Sequence, residues 1–177
     1  MTPAGTTRHA ANQVEVRWAL ADWGKIPLNP TIYVEWKAAH DAPDAYEVKL
    51  LLSETLAPRW HWGMNLAHEQ EVSGDRETEW AVSQAFSYTL IDEKLSAGVE
   101  MLFEHATVAG ERSNPEIEFL IGSSLEWRPT SRTTLNLVPL FGVTHDSPHI
   151  EAFVVFAVDF GCGKEREEHA PASLRAN

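Results

Sequence analysis

From Ile32 to Phe160 the chain alternates between two kinds of residue with a period of two. Every second position in Ile32 to Ala38, Tyr46 to Leu52, Trp60 to Leu66, Trp80 to Leu90, Leu95 to Phe103, Ile117 to Trp127, Leu135 to Val143 and Ala152 to Phe160 is uncharged and mostly aliphatic or aromatic. The interleaved positions hold Glu47, Lys49, Ser53, Gly63, Asn65, Glu69, Glu79, Ser83, Gly98, Glu104, Glu118, Gly122, Ser124 and Glu151, with apolar exceptions such as Leu51, Leu102, Leu120, Val138, Leu140 and Phe153. Successive side chains of a strand point to opposite faces, so this pattern predicts eight clear β-strands. Val14, Val16, Trp18 and Leu20 repeat it and form a candidate ninth. Short apolar runs at Ala19 to Trp23 and Leu50 to Leu56 can also be drawn as helices, because brief runs are ambiguous by periodicity alone.

Breaker clusters separate the alternating runs: Gly24 to Pro30, His40 to Pro43, Ala57 to Arg59, Ser73 to Arg76, Asp92 to Lys94, Gly110 to Pro115, Pro129 to Arg132 and His145 to His149. Regular punctuation of this kind predicts an all-β chain of consecutive hairpins, an antiparallel up-and-down meander. The domain spans residues 13–161, with disordered segments expected at 1–12 and 162–177, where little is apolar enough to bury. The first twelve residues contain no apolar run of the kind a secretory signal requires.

The meander can present its two faces in two ways. A soluble barrel or sandwich buries the aromatic face, forming a cavity for an apolar ligand. A transmembrane barrel turns that face to lipid and fills or wets its interior with the other. The polar face is rich in Gly, Ala and Ser at mid-strand, which a solvated sheet surface avoids and a crowded lumen uses. Ring-bearing residues gather toward strand ends, with Trp60, Trp62, Tyr88, Trp127 and Phe160 at one end and Tyr46, Trp80, Phe103 and Phe119 at the other. Two aromatic girdles flanking an aliphatic band suit two membrane interfaces. The turns at one end are short and those at the opposite end longer on average, as in barrels with short periplasmic turns and longer outer loops. These features favour the transmembrane barrel, as part of a larger one, since closed single-chain bacterial barrels have even strand numbers.

The stretch Ala-Leu-Ala-Asp-Trp-Gly-Lys-Ile-Pro-Leu-Asn-Pro-Thr-Ile-Tyr at residues 19–33, and the alternating terminal strand ending at Phe160, resemble the carboxy-terminal half of bacterial outer-membrane β-barrel proteins of porin-like or transporter-like type. The likeness covers about residues 14–161. It implies a bacterial outer-membrane location and a partner in the lipid bilayer, and it carries over no catalytic residue. Two departures stand out: a tail follows Phe160, and the leading strands of such proteins are not evident.

Charge sharpens the picture. With 177 residues, 14 Lys and Arg, 26 Asp and Glu and a net charge of -12, the chain is a poor partner for nucleic acid or an anionic bilayer surface. Its single cysteine, Cys162, rules out an internal disulfide or a cysteine zinc cage. Under the up-and-down topology the acidic excess falls at the longer-loop end, opposed there by Lys37, Lys49, Arg76 and Arg112. Glu47, Glu69, Glu79, Glu100, Glu104, Glu118 and Glu151 also sit on the inward-facing set. Two readings stay open: an acidic pore mouth that concentrates cations, or a solvated rim bridged by divalent cations to neighbouring lipid phosphates.

Other constellations are weak. His145, Asp146 and His149 could ligate a metal, but Asp, Ser and Pro also make an ordinary polar turn. His61 and His68 point to opposite faces. Gly161-Cys162-Gly163-Lys164 lacks most of a phosphate loop. A lipid hydrolase would need Ser, His and an orienting group at one level of the wall, and the polar outward residues Gln84 and Ser123 have no His at theirs. Pro139 marks a bulge or unpaired edge. The chain is therefore read as a non-enzymatic barrel without cofactor.

Overall fold

The structure, a computed structural model, describes residues 11–40 and 42–160. The expected terminal segments fall largely outside these residues, although Ala11 and Asn12 belong to the first strand rather than to the N-terminal segment. Nine strands make one sheet: β1 (Ala11–Ala19), β2 (Thr31–Ala39), β3 (Ala45–Ala57), β4 (Trp60–Glu71), β5 (Thr78–Ile91), β6 (Leu95–Thr107), β7 (Glu116–Thr130), β8 (Thr133–Gly142) and β9 (Ile150–Val158). Each pairs antiparallel with the next, in the order β1 to β9, which is the up-and-down meander. The candidate ninth strand is β1, and the run Leu50 to Leu56 is strand throughout.

The turns lie where the breaker clusters stand. Arg59 and Glu93 adopt positive φ values of 72° and 60° in the tight β3–β4 and β5–β6 connections. Such backbone is costly for a side-chain-bearing residue and persists only where neighbours hold it. Here the Arg59 guanidinium meets Asp92 at 3.0 Å, and the Arg59 carbonyl accepts from the Thr89 amide, tying the two turns together. The β1–β2 connection, 20–30, is the exception among the short turns of that end. It is pinned to β3: the Ser53 amide donates to the Leu28 carbonyl at 2.8 Å, the Leu28 amide donates to Glu54, and the Asn29 side-chain amide donates to the Ser53 carbonyl.

Among the described residues no second layer packs against this sheet, so its two faces meet different fates. The interleaved face is covered by the curl of the sheet itself: Leu120 is 0% exposed, Tyr33 3% and Lys49 4%. Leu102, Leu120, Val138 and Leu140 cluster there, with Phe153 against them. The aliphatic and aromatic face is left bare, with Trp18 68% and Phe156 67% exposed, and Val34, Trp80, Phe86, Val99 and Trp127 likewise open. On that face Trp60 packs on Phe86 and Tyr88 at one end, with ring centroids 4.9 and 4.7 Å apart. Near the other end His68 lies between Tyr46 and Trp80, and Phe103 stands opposite Phe119.

One ladder is interrupted. Between β7 and β8 the pairing runs to Gly122 with Leu140 and resumes at Leu125 with Leu137, so Ser123 and Ser124 face Pro139 and Val138 across a gap. Proline has no amide hydrogen to give, and this matches the defect read from Pro139 in the sequence. Gly122 is obligatory beside it, because a Cβ at that position would stand 1.8 Å from the Pro139 carbonyl oxygen. Gly122→Val is expected to lower stability by about 2 kcal/mol or more, read as a lower urea midpoint for unfolding; an unchanged midpoint would refute the close approach.

Candidate functional site

Strand register turns the scattered acidic residues of the sequence into rows. Glu15, Glu35, Glu47, Glu69 and Glu79 stand directly opposite one another across β1 to β5, one carboxylate per strand on the concave face. The next row, one inward-facing position deeper, reads Arg17, Tyr33, Lys49, Ala67, Ala81, Glu104 and Glu118 across β1 to β7. Like charges directly opposite on a sheet repel, each contact costing on the order of a few tenths of a kcal/mol. A row of five is therefore an arrangement that folding alone would not favour.

Compensation is concentrated on β1 to β3. Arg17 and Lys49 flank the Tyr33 ring, their charged ends 5.2 and 5.1 Å from its centroid. Lys49 pairs with Glu47 at 2.9 Å and Arg17 with Glu15 at 3.2 Å. The Tyr33 hydroxyl lies within hydrogen-bond reach of both Glu15, at 3.0 Å, and Glu35, donating to one at a time. Cation–π contact with a desolvated ring adds to these ion pairs. A closed unit results, in which three carboxylates share two cations and a phenol.

A cavity of about 510 Å³ opens on this face. Its β1 to β3 wall carries Arg17, Lys37 and Lys49 among the glutamates; its β4 to β6 and β9 wall carries Glu69, Glu79, Glu104 and Glu151 with small and apolar residues and no cation. Leu102 and Phe153, both part of the apolar cluster, also line it. The cavity thus combines a charge-balanced side with an acidic one above an apolar base.

Of the acidic residues singled out from sequence, Glu47, Glu69, Glu79, Glu104 and Glu151 come together around this cavity. Glu118 lies beside Glu104 in the row but outside the lining, and Glu100 is deeper on β6, opposite Ala85 and Gly122. Sequence reasoning did not assign Glu15, Glu35, Arg17 or Tyr33 to the site. Their parity already put them on the inward face; what was missing was the register that aligns β1 and β2 with β3.

Among the described residues no group of three His, Cys, Asp or Glu is arranged to hold a metal ion. At the 143–149 connection, Asp146 accepts from the Ile117 amide at 3.0 Å, while Thr144 and Ser147 accept from the Phe119 amide. This is the polar-turn use of the His145 to His149 segment. His61 meets the Thr89 hydroxyl at 3.1 Å on the inward face, far along β4 from His68.

Lys49→Met should leave the partly buried Glu47 without the ammonium 2.9 Å from it and lower stability by about 2 kcal/mol, less than for a fully buried pair. The double variant with Glu47→Gln should recover most of that loss, measured as unfolding midpoints in a double-mutant cycle; strict additivity would show that the pair is not coupled. No family model matches the chain, and no curated protein matches it.

Proposed function

We propose that the chain is a bacterial outer-membrane β-barrel protein that acts passively, as a pore or structural barrel whose acidic mouth favours cations. The observation that carries this reading is the exposure of the uncharged face. A single sheet that covers its small and polar residues and bares Val34, Trp36, Trp80, Phe86, Trp127, Val154 and Phe156 needs an apolar surround, and lipid supplies one. The soluble alternative, a barrel or sandwich binding an apolar ligand, requires the aromatic face to point inward, the reverse of the observed exposure. Aromatic pairs near both strand ends support two interfaces with an aliphatic band between them.

The cation preference follows from the rows of glutamate. Carboxylates converging in a cleft with low-dielectric walls focus a negative potential that raises local cation concentration and repels anions. In this reading the mouth selects by its field, as rings of carboxylates do in cation pores. Divalent cations at the rim, shared with lipid phosphates, fit the same field. Nothing in this reading calls for a nucleophile, a cofactor or a nucleic acid.

Two measurements test it. The purified protein should be monodisperse only with detergent or lipid; monodispersity in plain buffer would overturn the membrane assignment. In planar bilayers, converting Glu69, Glu79, Glu104 and Glu118 together to Gln should move the cation-to-anion permeability ratio several-fold toward unity, in line with the loss of four charges at a focused site. An unchanged ratio would remove the pore role and leave the structural one.

A further inference from the structure

We propose that the β1–β2 connection, residues 20–30, is an interfacial anchor that seats Trp23, Ile26 and Leu28 in the headgroup boundary of the lipid leaflet at the short-turn end. The inference rests on the membrane reading above and deepens it, assigning a lipid contact to a segment outside the strands.

The connection is two tight turns in succession. In the first, the Lys25 amide donates to the Asp22 carbonyl at 3.1 Å, and Gly24 stands third with φ 76°. In the second, the Asn29 amide donates to the Ile26 carbonyl at 3.1 Å, with Pro27 second and Leu28 third at φ 66°. A turn with proline second and a positive φ third ordinarily places glycine or asparagine there, because a branched or bulky side chain is costly in that region. Leu28 therefore stands where glycine would fit better. Asn29 clamps the two turns together, its Oδ1 accepting from the Gly24 amide and its Nδ2 donating to the Ser53 carbonyl. The segment is held as one piece against β3.

Burial inside the protein does not repay that strain. Leu28 is 38% exposed and Trp23 40%, and Leu20 and Ile26 are exposed as well. Leu28 is also the one apolar side chain among the described non-glycine residues at positive φ, the others being Asn29, Arg59, Arg76 and Glu93. Those four can face water without a hydrophobic penalty. Leu28 in water would add bare apolar surface to an unfavourable backbone. An apolar surround outside the chain removes the first cost and offsets the second.

Position and composition identify that surround as lipid. The connection leaves β1 just after Trp18 and enters β2 just before Ile32, which are register partners on the bare face. The Leu28 amide donates to the Glu54 carboxylate at 2.9 Å, and Glu54 alternates in step with Leu50 and Leu52 on that same face. Its register partner is Trp62, a girdle residue. The connection therefore continues the bare face past the end of β2, at girdle level. A tryptophan and three large aliphatics beside one Asp and one Lys are too polar for hydrocarbon and too apolar for water. Such a mixture suits the membrane interface, where an indole ring and a snorkelling lysine both find their medium.

The test places a nitroxide label at single cysteines in a Cys162→Ser background, with the full chain in vesicles of phosphatidylethanolamine and phosphatidylglycerol. Ile26→Cys reports on the connection, Leu66→Cys on the bare face at mid-strand, and Lys94→Cys on the exposed β5–β6 turn. Collisions with oxygen and with a water-soluble nickel chelate give the depth of each label. The label at 26 should meet nickel several-fold less than that at 94 and oxygen several-fold more, while lying shallower than that at 66. Readings at 26 equal to those at 94 would make the connection a solvated loop and overturn the anchor. Shielding of 26 from both reagents would overturn it in favour of a protein cover. A second measurement leaves the fold unlabelled: the tryptophan emission lost in Trp23→Phe should be quenched more by lipids brominated near the headgroup than by lipids brominated near the chain end, and no quenching by either again refutes the lipid contact. Water-like readings at 66 would strike the membrane reading itself and take the anchor with it, so the two failures are told apart.

Discussion

A sheet with no second layer must hide one face from itself. That constraint governs the rest of this molecule. The two-residue period separates the side chains into two sets, and curling covers one set while baring the other. Which set is covered decides the surroundings the molecule can tolerate. Here glycine, alanine, serine, asparagine and most strand carboxylates are inside, around a small apolar cluster of Leu102, Leu120, Val138 and Leu140 and the Tyr33 ring, and most of the other rings and branched aliphatics are outside.

The same curl gives the acidic rows their significance. On a flat, solvated sheet, Glu15, Glu35, Glu47, Glu69 and Glu79 would repel through water and contribute little beyond solubility. Gathered on a concave wall they raise one another's field, and the molecule answers unevenly. The β1 to β3 side spends two cations and a tyrosine on neutralisation, with Lys49 buried to do so, whereas the β4 to β9 side of the cavity has no Lys or Arg in its lining. The asymmetry gives the cavity a charge-balanced side and an unquenched one.

Much of the fold was legible in the sequence because period and punctuation are local. Val14 to Leu20 announced β1, and the Gly, Pro and Asp clusters marked the turns. The break in the β7–β8 ladder was legible as Pro139, though the dependence of that break on Gly122 was not, since it arises from a contact between strands. The candidate site was only half legible. Parity assigned Glu47, Glu69, Glu79, Glu104 and Glu151 to the inner face, but register, a nonlocal quantity, aligns Glu15 and Glu35 with them and sets Tyr33 between Arg17 and Lys49. Glu100 shares the parity and lies deeper on β6, outside the cavity lining.

The 143–149 connection ends β7 by side chains rather than by a neighbouring strand, with Thr144, Asp146 and Ser147 meeting the amides of Ile117 and Phe119. Strand length and wall height are thereby uncoupled at this rim. β8 can stop at Gly142 while β7 begins back at Glu116, and the taller strand keeps its backbone satisfied. The rim can therefore be uneven in height without exposing raw backbone, a notch whose depth rests on three short polar side chains, Thr144, Asp146 and Ser147.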